Sequence, residues 1–474
     1  MPLQDPDPAA APPEAGVLIR AENGDVVTFD STGLTLRLSD TVLEDLRHRL
    51  GPVWPDPADH LGDLDAWNLR RQGDWLHFTA LLDQGGVARA YQRAAAGGDI
   101  FAAAPGPLHA LLSIGGPRRA GFTDGPAAFR HNILAPADDI GAVGAEGTAE
   151  VVPCPGLQHI PHRSRDALTA DILLGWRRDA LRGLPLFLVR SETDASASLA
   201  ALAQGLAWRN FLSALDSLCA AAAALGKRAQ VLAVSLDFSL EDQVSDPATY
   251  AADLRALMRQ IERAMGQRGL HRPHFLMTFE SGTQAMTAHP SMMGQWELAW
   301  SHGPHSLTFT SPGYMFDQTR FGRPTESARL RMAEMDAHAL VALTNRQEWL
   351  CPLFLLAEYQ DNALRVTARA MGDLVLDPAL TADPACGFAL TGSMARITSV
   401  RVAEDDRQAL ILTCDAPPVG ATLHYAHAAP GPSPDARPAN RGAVRDTWEA
   451  ASQTGLALRR WALPAVLPVQ RGAA

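Results

Sequence analysis

Apolar and polar positions alternate along this chain in three different rhythms, and each change of rhythm marks an expected domain. Near the start, residues 17–20 and 25–29 flank Glu22-Asn23-Gly24, a polar turn ending in a residue that tolerates positive φ, so the pattern predicts a hairpin. Residues 34–38 alternate as a third strand. Asp40 stands where a cap belongs, before a short amphipathic helix over 41–50 with Leu43, Leu46 and Leu50 on one face. Trp67, Trp75, Phe78 and Leu81 follow in a stretch of mixed pattern. Residues 1–16 are rich in Pro, Ala and Asp and are expected to form a flexible arm, because they cannot build a core.

From about Pro105 the rhythm slows. Apolar runs at 108–114, 186–189, 230–234, 274–278 and 306–310 read as buried strands, with helical stretches near 199–225 and 247–266 between them. This alternation predicts an α/β fold, a doubly wound parallel sheet that binds ligands at the carboxyl ends of its strands. Beyond Trp349-Leu-Cys-Pro352 the runs shorten again, to 363–368, 374–376, 396–402, 409–413 and 422–426. Met371-Gly372, Asp405-Asp406 and Pro417-Pro418 punctuate them, which predicts a small β-sandwich. The expected division is an arm over 1–16, an N-terminal α+β attachment domain over 17–104, an α/β domain over 105–345 and a C-terminal β-sandwich over 346–474. Residues 430–438 are expected to be a mobile proline-rich loop.

Composition narrows the function classes. The 474 residues are 47% hydrophobic and 20% charged, enough to bury a sizeable core. A net charge of −11 argues against nucleic acid or an anionic membrane as the main partner. Lys227 is the only lysine, a bias that fits a GC-rich bacterial genome. Cys154, Cys219, Cys351, Cys386 and Cys414 are scattered without CxxC spacing, which predicts a reducing compartment rather than a disulfide framework. The spacing Cys154-x4-His159-x2-His162 offers three metal ligands but no fourth, so neither metal nor cofactor is expected. No apolar run is long enough to span a membrane, and the first residues are acidic and proline-rich, unlike a signal peptide.

The candidate chemistry lies at Gly115-Gly116-Pro117, where paired glycines follow the first buried run and permit a tight turn with close backbone approach. Further blocks follow in order: Glu192-Thr193 just after the run at 186–189, Glu241 within Asp237-Phe-Ser-Leu-Glu-Asp-Gln243, Thr249-Tyr250-Ala-Ala-Asp253-Leu254, and Arg320-Phe-Gly-Arg323-Pro-Thr-Glu326 before a helix through Leu340. This series resembles the SGNH/GDSL-like hydrolases, in particular the carbohydrate O-acetylesterase branch. Trp349 to Leu353, Tyr425-Ala426 and Arg441-Gly-Ala-Val-Arg-Asp446 resemble the accessory region of the same group, so the likeness covers about three quarters of the chain.

The resemblance implies a nucleophilic serine where Pro117 stands, a histidine base where Arg323 stands and its orienting aspartate where Arg320 stands. Proline has neither hydroxyl nor N–H, and arginine stays protonated near neutral pH. The expected site is therefore a degenerate pocket of Gly115, Gly116, Pro117, Glu192, Thr193, Glu241, Arg320 and Arg323, whose arginines favour an acidic glycan or phosphate. A shifted register would instead make Ser113 the nucleophile, with His109, His302 or His305 as base, and the chain an active carbohydrate O-acetylesterase. Domains of the resembled kind occur in fibres and spikes of phage-like particles, gene transfer agents among them. By that resemblance the chain is expected to bind cell-surface polysaccharide, the host capsule, without turnover. It would attach to a spike base or capsid subunit through its N-terminal region, form a homo-oligomer, and be made in the bacterial cytoplasm for release on the particle.

Overall fold

The computed structural model describes residues 16–20, 26–30, 33–39, 42, 61–82, 86–138, 140–144, 149–285, 290–319, 322–427 and 432–472. The chain divides into two compact units, one reaching Leu81 and taking in Ala88–Gly97, the other running from Gly98 onward. In the first unit, Gly16–Arg20, Val26–Asp30 and Gly33–Arg37 form an antiparallel meander. The expected turn at Glu22-Asn23-Gly24, the arm up to residue 15 and all but one residue of the helix at 41–50 lie outside the described residues. A second meander joins Ala66–Gln72, Trp75–Ala80 and Arg89–Ala94. Leu76, Phe78 and Ala80 are buried on one side of its middle strand, while the positions between them are only partly buried.

The second unit contains the predicted parallel sheet. Its strands are β1 (Leu108–Gly115), β2 (Ile133–Pro136), β3 (Leu157–His159), β4 (Leu186–Thr193), β5 (Ala229–Asp237), β6 (His274–Phe279) and β7 (Leu307–Pro312). They lie in the order β3-β2-β4-β1-β5-β6-β7, all parallel except β3, which pairs antiparallel with β2 at the edge. The helices are α1 (Arg165–Asp179), α2 (Leu206–Ala224), α3 (Pro247–Gln267), α4 (Pro290–Trp300) and α5 (Glu326–Thr344). α1 and α5 share one apolar cluster with Leu111, Val189, Ala233 and Leu276, and α2 lies against β1 and β4. β1 is central, and seven of its eight residues are buried. The chain winds one way from β1 through β2 to β4, then returns to add β5, β6 and β7 on the other side. A crevice therefore opens at the carboxyl ends of β1 and β5, where the winding reverses.

Several elements differ from the expectation. β4 continues four residues past the apolar run, through Arg190, Ser191, Glu192 and Thr193, all buried. The single helix expected over 199–225 is two, Leu199–Leu202 and α2, separated at Gly205. A Cβ on Gly205 would lie 2.7 Å from the Asp194 carboxylate and 3.2 Å from Ala201 O, so the corner is close-packed. α1 and α4 are additional to the expected helices.

The C-terminal part holds a seven-stranded sheet and a three-stranded sheet around a shared core. Within the larger sheet, Ala465–Arg471 lies between Thr422–Tyr425 and Leu353–Gln360. The core continues into the α/β part through Tyr314, Met315, Phe316, Met332 and Met335. Tyr425 explains why its neighbours read as a motif. Its hydroxyl accepts from Val444 N (3.1 Å), and a Cβ on Gly442 would overlap it.

The described part of the proline-rich loop is tied to the α/β part. Ser433 N donates to Gln284 O (2.8 Å), Ala439 N to Thr283 O (3.2 Å) and Gln318 N to Ala436 O (2.6 Å), while Arg437 pairs with Asp317 (3.1 Å). The three spaced ligands of the sequence also part company. His159 Nε2 lies 2.7 Å from Ile100 O and the His162 ring is against Phe122, and no group of three metal-ligating side chains exists among the described residues. No helix among them is long and apolar enough to cross a membrane.

Candidate functional site

The end of β1 is built for close approach to β5. A Cβ on Gly115 would lie 2.5 Å from Asp237 O, and one on Gly116 would lie 2.5 Å from Glu241 Cδ. Gly116 N donates to Asp237 O (3.0 Å), which locks the turn to the neighbouring strand. Pro117 then opens a single 3-10 turn, Pro117–Ala120, that carries Arg118 and Arg119 across the crevice. The loop after β5 is held from beneath by Tyr250, whose buried hydroxyl donates to Phe238 O (3.0 Å). Asp242 ties the same loop to Leu199 N (2.9 Å) and Ser245 N (3.0 Å).

Arg118 fills the mouth of the crevice. Its Nε and Nη2 donate to the two oxygens of Glu241 (2.9 and 3.1 Å), and its Nη1 donates to Glu280 Oε2 (3.0 Å). Burial opposes the guanidinium charge, but Glu280 and Glu241 outweigh it and hold the pKa of Arg118 above the usual arginine range. Burial pushes the Glu280 carboxyl up, with Arg118 pulling it back. Glu280 is fixed at its backbone by Gln295, which accepts from its N–H (2.9 Å).

Beneath Arg118 lies a second, fully buried network. Arg119 donates to Asp237 (2.5 Å) and Asp166 (2.6 Å). Arg165 makes two bonds of 2.6 Å to Asp336 and reaches Asp237 at 3.2 Å. Ser113 Oγ donates to Asp166 Oδ2 (2.7 Å) and lies 2.8 Å from Ser191 Oγ. Burial raises the Asp166 pKa. At Asp237 burial acts the same way, but Arg119 and Arg165 prevail and its carboxyl falls below the usual range. Three guanidiniums thus meet five carboxyls in these networks, and Arg329 adds a fourth guanidinium to the lining of the crevice. The cavity left among Arg118, Arg119, Thr278, Gln318 and Arg329 is about 30 Å³, space for water rather than for a sugar.

Of the residues expected here, Gly115, Gly116, Pro117 and Glu241 come together at this crevice. Arg323 lies on the loop above it, between Gly322 and Pro324, which line the cavity, and its side chain is exposed. Arg320 lies outside the described residues. Glu192 and Thr193 end the adjacent strand β4 but do not line the cavity. Glu192 is buried against Arg190 (2.7 Å), which also pairs with Asp138 (2.9 Å), and it abuts Gly144. Among the described residues Ser113 has no histidine as a hydrogen-bond partner. The His109 ring packs on Phe187 and His305 faces Glu262. Arg118, Arg119, Arg165, Asp237 and Glu280, which dominate the site, are additional to the expected set, and the only local signal for them is the Pro-Arg-Arg that follows the paired glycines.

No family model and no curated protein matches this chain. Among solved structures it is similar to XAC1771, a carbohydrate acetylesterase from Xanthomonas citri, at 12% identity and a TM-score of 0.47, over 81% of this chain and 85% of that one. It is also similar to NanS, at 11% identity and a TM-score of 0.34, over 51% of this chain and all of the other. What this chain can do is read from its own residues.

Proposed function

We propose that this chain is a carbohydrate-binding protein on an SGNH-like α/β scaffold that does not turn its ligand over. The observation that carries this reading is the Gly116-Pro117-Arg118 turn. At the strand end where a hydrolase needs a hydroxyl and a backbone donor it has proline, and the next residue closes the crevice with two ion pairs. The competing reading, an O-acetylesterase acting through Ser113, asks a hydroxyl that is fully buried within β1 and committed to Asp166 to reach a substrate. Hydrolysis of a chromogenic acetyl ester and of acetylated sugars decides between them. Background rates, the same in wild type and Ser113→Ala, are expected. Turnover that the substitution abolishes would establish the esterase.

The sequence resemblance extends the proposal to a spike or fibre of a phage-like particle that adheres to capsular polysaccharide and is anchored by its N-terminal region. Deletion of residues 1–16 is expected to release the protein from sedimenting particles while the unit from Gly98 onward keeps its fold. Continued co-sedimentation of the deleted form would remove the anchoring role.

A further inference from the structure

We propose that the ligand sits in a groove between α1 and α5, away from the closed crevice, and that it is an oligosaccharide segment carrying a carboxylate. This rests on the carbohydrate-binding reading above and gives it a different address. The groove has a volume of about 860 Å³, within the range of ligand sites, against about 30 Å³ at the strand ends. Its floor is apolar, from Leu168 and Ile172 of α1 and Leu330 of α5, and suits the CH face of a pyranose ring.

Its polar wall holds two buried atoms without hydrogen-bond partners among the described residues. Thr123 and Arg163 are opposite one another in the antiparallel pair Phe122–Asp124 with His162–Ser164, so they share one face of that ribbon, and both line the groove. Thr123 is 6% exposed, and its Oγ1 has no hydrogen-bond partner. Arg163 Nε is likewise buried without an acceptor among the described residues, while its Nη2 donates to the Asp124 carbonyl at 3.4 Å and its charge acts on Asp171. Buried donors in native proteins are almost always met, so these two mark where an incoming acceptor belongs.

A carboxylate is the acceptor that fits. The Arg163 guanidinium offers it charge-assisted bonds, and Arg178 adds a second cation to the lining. Of the groove's two acids, Asp171 accepts from Ala128 N (3.1 Å) and Phe129 N (3.0 Å), with burial raising its pKa and Arg163 and Arg178 pulling it back, and Glu326 is exposed in the first turn of α5. Gln453 and Thr454, from a turn of the C-terminal part, complete the rim with groups that can bond sugar hydroxyls.

The test is a glycan array of uronate-bearing and neutral bacterial oligosaccharides, probed with the full chain, Arg163→Ala and Ser327→Trp. Ser327 is exposed on the rim, so tryptophan there obstructs the groove without entering the core and serves even if Arg163→Ala misfolds. The expected result is binding to uronate glycans that falls at least about tenfold in both variants. Uronate binding unchanged in both variants would overturn the groove while leaving the carbohydrate reading standing. Binding confined to neutral glycans would overturn the carboxylate assignment. If the full chain bound no glycan at all, the proposed function would fall together with this site.

Discussion

Gly116 has an ordinary extended backbone (φ −86°, ψ 177°), so no unusual conformation demands glycine there. The demand is spatial, because a methyl group would enter the Glu241 carboxylate that holds Arg118. Gly116→Ala is therefore expected to displace that ion pair and lower stability by about 1–3 kcal/mol, read as a drop in melting temperature. Ser113 is a second residue whose value is internal. Ser113→Ala removes a donor from buried Asp166 and is expected to cost about 1–3 kcal/mol in chemical denaturation.

At the scale of elements, Arg165 at the start of α1 and Asp336 in the middle of α5 join the two helices that cover one face of the sheet, and Thr310 on β7 bonds the same carboxylate (2.9 Å). Asp336→Ala removes two of the three bonds of the buried Arg165 guanidinium, leaving it Asp237, and is expected to destabilise by about 3 kcal/mol, a loss that equilibrium unfolding would register. α5 also carries His338, packed among Trp176, Trp349 and Trp448, where burial lowers its pKa to about 4. An unfolded histidine takes up its proton near 6.5, so between about pH 6.5 and 4 the unfolded chain binds more protons and acidification favours unfolding. Melting temperature is expected to fall through that window, and less steeply in His338→Phe. The same physics decides what the sequence discloses. β1, β5, β6 and β7 are legible because strands covered on both faces become continuous apolar runs. The far half of β4 is not, because Arg190 and Glu192 are buried through each other and through Asp138, a partner some fifty positions away. α1 hides for a like reason, since it opens with Arg165-Asp166 and buries both. At the site, the paired glycines and Glu241 can be read locally, whereas the Arg118–Glu280 and Arg165–Asp336 contacts join residues more than 150 apart and leave no spacing to find.

Across the molecule, the α/β part and the C-terminal sheets do not have separate interiors, since Tyr314, Phe316 and Met332 sit in one core with Phe354, Tyr425 and Trp461. A fragment ending at residue 345 would expose that surface, and it is expected to aggregate or lack a cooperative thermal transition, as size exclusion and circular dichroism would record. The place of Ala465–Arg471, inside the larger sheet rather than at its edge, also has a consequence for synthesis. At roughly 5–20 residues per second, the stretch from 346 to 471 takes roughly 6–25 s to emerge from a ribosome. Throughout that interval the sheet lacks an inner strand and the apolar side of α5 waits uncovered, so the nascent chain spends many seconds as a client for chaperones before it can close.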